Sequence, residues 1–600
     1  MAKNFGKTWW GSEWLQSLQH IDYENRIPRG ARYARNGYVR SVSIDHGAIS
    51  AKVDGSRPTP YRVAVKVKAF TDKEKEALID GILEHPAIVS ELLCHRLSPA
   101  VSDIAKSKNI KVFPTSWRDL GMDCNCPDWA VPCKHIAAVI YMVGKEIDNN
   151  PFLIFELHGV DILAELERRG IKALQDSKVE VPGWGEAMEI DKPSSVKGKD
   201  APATLPQFDF STIVPLGDTM RKLLPIEPPF WSEGDFMALY SENACRAAKV
   251  AKAMLQDKRS VADCFELTTN KPESINAADP SLVVNKRHEP SIKFGKQTTS
   301  RSVPDLMRQL EALPTAEVRN SSNATYAFHT CFTLALHLAA KGNVVPIICA
   351  DPQKGYDITW APFMGDAQTA EILRQADTLF AKGDIRVGGV TAPGTPRHPA
   401  WFATAIFLTT IARATAKPFT KISKVHDMFY KGGLYHYDGM GEQAVPISIK
   451  SWADHLRAPQ SRHTPLLTLR EDGVDSDRFL LDVYVVDKQK YGDPISLRSV
   501  FSDEAYKTTR YAILKELSSL AGMLPVLDDY LAREASKPIA MSGDGMIRFL
   551  MDTAPALRLL NIQVALPKSL QNLIRPLPSI ALSTKPNDGK TFLRLSLIHI

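Results

Sequence analysis

The run Asp123-Cys-Asn-Cys-Pro-Asp-Trp-Ala-Val-Pro-Cys-Lys-His135 brings four metal-competent side chains, Cys124, Cys126, Cys133 and His135, within twelve residues. Three soft thiols and one imidazole make a zinc donor set. The Cys-x-Cys and Cys-x-His pairs are each too tight for a disulfide, because side chains two apart on one strand cannot reach good Cβ–S–S–Cβ geometry. Shared coordination of a metal relieves that conflict. Four protein ligands fill a tetrahedral zinc and leave no position for water, so the expected site is structural and not hydrolytic.

Immediately beyond, Ile136, Val139, Ile140, Val143 and Ile147 recur at helical spacing. The spacing predicts that Cys133 and His135 start a helix and that Cys124 and Cys126 sit on the strand or turn before it. The result is a β-turn-α finger pinned by metal over residues 110–150. Three thiolates on Zn²⁺ leave one net negative charge, which the helix N-terminus and Lys134 partly offset. The alternative, unrelated buried thiols beside a surface histidine, fits this spacing poorly.

Cys-x-Cys-x6-Cys-x-His, with Cys126-Pro-Asp-Trp129 inside it and Pro132-Cys-Lys-His135 closing it, resembles the SWIM zinc finger of helicase-like ATPases and transposases. The resemblance to bacterial SWIM zinc-finger proteins extends over residues 1–170. It takes in Thr8-Trp-Trp-Gly11, Arg26-Ile-Pro-Arg-Gly-Ala-Arg-Tyr-Ala-Arg-Asn-Gly37, Gly55-Ser-Arg57, Pro60-Tyr61 and Asn150-Pro-Phe-Leu153. It implies binding to DNA or to protein partners alongside a helicase-like ATPase, in cis or in trans. From Ala444 onward, Ser451-Trp452, Pro465-Leu-Leu-Thr-Leu-Arg470, Phe479-Leu-Leu-Asp-Val-Tyr484 and Leu566-Pro567 resemble, more diffusely, the region preceding the motor of bacterial Snf-type helicase-like ATPases.

The 600 residues suffice for three or four domains, and 44% hydrophobic with 24% charged residues is ordinary globular material. The net charge of +6 settles nothing overall, but residues 1–70 hold 12 Lys and Arg against 5 Asp and Glu. Besides the finger's three cysteines and nearby Cys94, the scattered Cys245, Cys264, Cys331 and Cys349 form no secreted disulfide framework and read mostly as small buried hydrophobes. The opening Met-Ala-Lys-Asn-Phe-Gly-Lys has no apolar signal core. With the free thiols, that leads us to expect a cytoplasmic protein, in which the glycosylation-like sites at Asn320 and Asn323 carry no meaning. The most apolar stretch, Ala400 to Ala412, is too short for a bilayer and meets Arg413, so it reads as a buried helix and no membrane partner is expected.

The expected fold class is α+β: an N-terminal mixed module with the zinc-pinned finger, then a larger, mostly helical α+β region. Period-two runs at 39–53 and 61–67 predict strands, and helical signals follow Thr8, Thr71 and Pro151. Residues 175–206 gather Pro, Ser, Gly and charge and read as a linker. Residues 207–440 form a helix-rich region of unassigned role, with helices over 324–340, 367–381 and 399–416 and a loop-like stretch over 268–302. Residues 441–600, with strand-like runs at 478–486 and 562–566, form the region resembling the pre-motor segment. The apolar run Thr591 to Ile600 leads us to expect that the reading frame continues into a motor beyond about residue 594.

Arg26, Arg29, Arg32 and Arg35 recur every third residue, with Arg40 beyond and Tyr23, Tyr33 and Tyr38 interleaved. Guanidinium forks bind phosphates and aromatic faces stack on bases, so these arginines are the candidate nucleic-acid contacts. The competing reading is a solvated basic face paired with nearby carboxylates, or arginines that brace the fold. Trp9, Trp10 and Trp129 read as core rather than as stacking platforms, and Asp128 as a hydrogen-bonding partner of the finger's backbone. Gly6-Lys7-Thr8 and Gly589-Lys590-Thr591 lack the strand and spacing of a phosphate loop, His288-Glu289 lacks the second histidine of a zinc protease, and His329, Cys331 and His337 read as core packing. The expected protein is therefore a non-catalytic, zinc-binding module that contacts DNA, or DNA-bound protein, for a helicase-like ATPase. The alternative is a protein-interaction adaptor with no nucleic-acid contact.

Overall fold

Thr8 caps the first helix, α1 (Trp9–Gln16), by accepting the Gly11 N–H, and α2 (Arg26–Arg35) follows. Strands β1 (Val39–Asp45), β2 (Ala48–Val53) and β3 (Tyr61–Val67) then form where the sequence alternates. Tyr61, Val63, Val65 and Val67 turn inward, while Arg62, Ala64 and Lys66 turn to solvent. A Thr71/Glu74 capping box opens α3 (Asp72–Leu83). Pro86 then starts a separate helix, α4 (Pro86–Leu93), ending the helical run that Thr71 opens, since proline cannot supply an interior N–H. α5 (Ala100–Ser107), β4 (Leu120–Cys124), α6 (Lys134–Asn149), α7 (Leu153–Leu157) and α8 (Ile162–Arg168) complete the N-terminal module.

The sheet runs β1-β2-β3-β4, antiparallel throughout. α6 packs on its inner side through Ile136, Val139, Ile140, Val143 and Ile147, all fully buried, so the spacing read from sequence is the core-facing stripe. Trp14 joins that core and donates its indole N–H to the Ile140 carbonyl at 3.0 Å. Each such aliphatic side chain contributes about 2 kcal/mol on burial, so α6 is held mainly by packing.

This computed structural model describes residues 5–599 apart from 19–25, 46, 95, 129–130, 172–180, 192–204, 232, 266, 268–278, 286–288, 295–299, 352–354, 389–393, 439–441, 458–461, 474–477, 490–492, 508, 522, 568–577 and 584–593. The chain forms two units: 1–458 with 508–523, and 459–507 with 524–600. The fold is α+β with helix in excess.

Beyond the N-terminal module the first unit is built around the helices Phe236–Leu255, Asn323–Lys341 and Pro399–Thr415 and the hairpin Val344–Ala350/Tyr356–Pro362. The apolar run near 400 is the buried helix expected, and among the described residues no helix is long and apolar enough to cross a membrane. Within the stretch read as a linker, residues 181–191 are folded: Trp184 is buried with its ring 5.9 Å from that of Phe402, and Pro182 accepts the Ala350 N–H. Within the stretch read as a loop, Pro280–Val284 and Pro290–Phe294 pair as strands. Each begins with proline and has only two or three inward side chains, which is too short a pattern to register as a strand. The helix Arg510–Leu520 belongs to this unit and packs on α4, where the Ser90 and Ser518 hydroxyls meet at 2.7 Å.

The second unit contains a five-stranded sheet. His463–Glu471 and Arg478–Asp487 form its antiparallel centre, flanked by Ile495–Ser496, Gln563–Ala565 and Ile539–Ser542. The strand-like runs at 478–486 and 562–566 are thus strands. Gly589-Lys590-Thr591 lies outside the described residues.

Candidate metal centre

β4 delivers Cys124 as its last residue, opposite Val63 on β3. The chain beyond is tied down by the Asn125 side-chain oxygen, which accepts the Arg62 N–H at 2.8 Å, and by the Asn125 N–H, which donates back to the Arg62 carbonyl. Cys133 is the N-cap residue of α6 and His135 lies in its first turn. The sequence thus places two ligands on a strand end and two on a helix start, as their spacing implies.

The four donor atoms lie within 4.8 Å of one another, with His135 Nδ1 at 3.8 Å from Cys133 Sγ and 4.0 Å from Cys124 Sγ. A tetrahedron built with Zn–S of about 2.3 Å and Zn–N of about 2.0 Å has edges of about 3.6 Å, so the donor set fits zinc. The His135 ring is held between Tyr61, at 4.6 Å, and Tyr33, edge-on at 5.6 Å, which turns Nδ1 toward the sulfurs and leaves buried Nε2 without a hydrogen-bond partner. Gly55 permits this: a Cβ there would come within 2.3 Å of the Tyr61 ring and 3.1 Å of His135 Nε2. Cys124's hydrogen bond holds the Cys133 thiol below the usual range, while that same bond raises Cys124 and burial raises Cys126. Three thiolates in this space need a cation.

α2 places the four arginines on one side. At 3.6 residues per turn, Ile27, Gly30, Ala31 and Ala34 form the face packed on α6, and Arg26, Arg29, Arg32 and Arg35 spread across the opposite half. Gly30 sets the approach, because a Cβ there would lie 2.5 Å from Ala137 Cβ and 3.1 Å from the Lys134 carbonyl oxygen. The helix is joined to the finger at two further points: Arg26 Nε faces Asp128 at 3.7 Å, and Lys134 Nζ sits 5.0 Å above the Tyr33 ring. Arg29, Arg32 and Arg35 are exposed, and among the described residues no carboxylate pairs with them. Arg40 is taken up by Asp54 at 2.7 Å. Tyr33 and Tyr38 pack together with centroids 4.7 Å apart; Tyr23 lies outside the described residues.

Trp9 and Trp10 are part of the fold, donating their indole N–H groups to Leu97 and Ile147 carbonyls at 2.9 Å; Trp129 lies outside the described residues. Cys331 is buried against the Ala400 carbonyl and His337 stacks on Phe210. Among the described residues the only His/Cys/Asp/Glu group suited to a metal is Cys124, Cys126, Cys133 and His135. Cys349 is buried as expected, whereas Cys245 is exposed.

One feature escaped the sequence reading. The outer face of the sheet is wholly exposed and mostly small (Ser41, Ser43, Ser50, Ala64), yet Lys52 stands directly opposite Arg62, with Lys66 farther along β3. Like charges set opposite each other oppose pairing. The alternation of β2 and β3 already carried the signal, since it puts all three cations on the outward side.

The SWIM zinc finger family model matches residues 117–144, which cover β4, all four ligands and most of α6. Residues 117–144 are a SWIM zinc finger. Zinc is the cofactor its ligand set takes. The chain is also 36% identical over 163 residues to the uncharacterized protein Rv2102 of Mycobacterium tuberculosis, an alignment covering 27% of this chain and 59% of that protein. The chain therefore spans under two thirds of that relative's length. No solved structure matches the chain.

Proposed function

We propose that the SWIM finger serves as a zinc-held clamp that presents α2 to DNA, through Arg29, Arg32 and Arg35, in support of a helicase-like ATPase acting in cis or in trans in the cytoplasm. The chain's own part is binding and not catalysis, since four protein ligands close the zinc to water. The observation that carries the reading is the exposed row Arg29, Arg32 and Arg35, with no carboxylate paired to it among the described residues, on a helix fixed to the zinc-bearing helix at Gly30. A preorganised guanidinium row binds phosphate oxygens without first giving up carboxylate partners.

The test is fluorescence anisotropy with single-stranded, duplex and forked DNA at two salt concentrations. Replacing Arg29 and Arg32 with Gln should weaken binding to all sequences alike and reduce the salt slope on duplex by about one to two units. A well-folded double variant that binds DNA as the parent does would instead favour the protein-interaction adaptor.

A further inference from the structure

β2 and β3 form a hairpin whose end, residues 52–62, closes on the metal centre. Tyr61 covers one side of the His135 ring, with centroids 4.6 Å apart, and its hydroxyl lies 3.1 Å from that of Ser56. The Arg57 guanidinium sits 5.4 Å above the Tyr61 ring. The loop that carries Arg57 is therefore fixed to a metal ligand. Lys52, Arg57 and Arg62 are all exposed, and no carboxylate among the described residues pairs with any of them. Asp54, the hairpin's one carboxylate, is held by Arg40; of the others on the outer face, Asp123 stands across from Ala64 and Asp45 across from Ala48.

Lys52 and Arg62 stand directly opposite each other, an arrangement that opposes strand pairing. Protection of a sheet edge does not account for it, because the order β1-β2-β3-β4 puts both cations on inner strands. A folding cost kept at an exposed position points to an anion outside the chain. Guanidinium forks and ammonium groups held on one hairpin suit the phosphates of a nucleic-acid backbone. The hairpin offers bases no stacking platform, since its one aromatic side chain, Tyr61, is 2% exposed, and this favours a duplex over a single strand. We propose that the end of the β2–β3 hairpin is a second DNA-backbone contact, in which Lys52, Arg57 and Arg62 hold duplex phosphates without reading sequence. The proposal rests on the DNA-binding reading of the finger and adds residues outside α2 to it.

The test compares the full chain with Lys52→Gln/Arg62→Gln and, alongside, Arg29→Gln/Arg32→Gln, by fluorescence anisotropy on random-sequence duplex across a salt series, with zinc content and the urea midpoint measured on each. The hairpin variant should bind duplex about tenfold or more weakly at low salt, with a salt slope smaller by about one to two units. Its zinc should be unchanged, and its urea midpoint should equal or exceed the parent's, because the opposed charges are gone. A merely structural role would instead lower the midpoint. If the α2 variant loses affinity while the hairpin variant binds as the parent does, this proposal falls and the α2 reading stands; the reverse result upholds the hairpin and removes α2. A parent that binds no duplex overturns both. A hairpin variant that loses zinc overturns the proposal, since the cations would then serve the charge of the metal site. So would poly-glutamate that competes as well as duplex, which would point to an acidic protein partner. Should the double variant fail to fold, Arg57→Gln decides, with a loss of about one unit of slope expected and an unchanged slope overturning the proposal.

Discussion

Gly30→Ala tests how the arginine helix is positioned, because two opposing effects can be weighed in advance. In a helix interior, alanine is favoured over glycine by about 1 kcal/mol. Against this, the new methyl would lie 2.5 Å from Ala137 Cβ and 3.1 Å from both the Lys134 carbonyl oxygen and the Ala138 nitrogen. Two of those three atoms are backbone of α6 within the turn that carries His135, so they cannot swing aside. Overpacking by one methylene-sized group costs about 1–3 kcal/mol. The clash prevails, and a net loss of about 1 kcal/mol is expected. Gly185→Ala is the control: its added Cβ has only Ile190 Cβ, at 4.0 Å, for a neighbour. Propensity alone should act there, giving a gain of up to about 1 kcal/mol. Urea denaturation of both variants, with zinc content and duplex-DNA anisotropy measured in parallel, gives the answer. Gly30→Ala should keep its zinc, lose stability and bind DNA more weakly. A Gly30→Ala protein at least as stable as the parent would refute the close-approach argument.

Zinc removal should be the most damaging change to the N-terminal module, since structural zinc supplies on the order of 10 kcal/mol of folding free energy in small fingers. Metal analysis should find one zinc per chain, and Cys124→Ser or His135→Ala should open residues 110–150 to protease while the second unit stays resistant; unchanged resistance would count against the site. Ser90→Ala should strand the buried Ser518 hydroxyl and cost about 1–3 kcal/mol, whereas Ser90→Ala/Ser518→Ala should recover much of the loss; a double-variant loss equal to the sum of the Ser90→Ala and Ser518→Ala losses would show that the pair does not couple. In the second unit, Arg462 grips Asp487 through both oxygens, at 2.8 and 2.6 Å, and this, with the Gln489 N–H, holds the Asp487 carboxyl well below the usual carboxylate range. A depressed carboxylate pKa adds stability above the unfolded value of about 3.9 and loses it as pH falls further. The Asp487 carboxyl signal should therefore titrate below that value by NMR, and a midpoint at or above it would refute the pairing.

The metal site was legible because its information is local: four ligands within twelve residues, followed by an apolar stripe of helical period. The sheet was legible for the same reason, since Val63, Val65 and Val67 alternate cleanly. α2 was not, although its arginines stood out, because its packed face consists of Ile27, Gly30, Ala31 and Ala34. Small residues give almost no hydrophobic signal, and their role emerges only when another backbone comes close enough to need them. Residues 181–191 were hidden by the Pro, Ser and charged residues around Trp184, whose burial depends on Phe402, far along the chain. The docking of Arg510–Leu520 on α4 likewise rests on long-range contacts such as Ser90 with Ser518, for which neither segment carries a periodic cue.

On the proposed reading, α6 joins metal binding and surface presentation in one device. Its first turn holds the zinc ligands and its middle receives α2 at Gly30. Near its end, the Asp148 carboxylate accepts the Thr8 N–H and hydroxyl at 3.0 and 2.7 Å and the Lys7 N–H at 3.1 Å. Gly11 makes room, since a Cβ there would strike the Asp148 oxygen. Burial raises the Asp148 carboxyl against these hydrogen bonds, so the anchor at this end stands at some electrostatic cost. Zinc meets no such penalty at the other end, because its charge offsets the crowded thiolates. Metal loading is thus expected to fix the start of α6, and with it Lys134, Ala137 and Ala138, the surface against which α2 packs. If the arginines bind DNA, chelation should abolish binding without touching any of them, by removing the platform on which they stand.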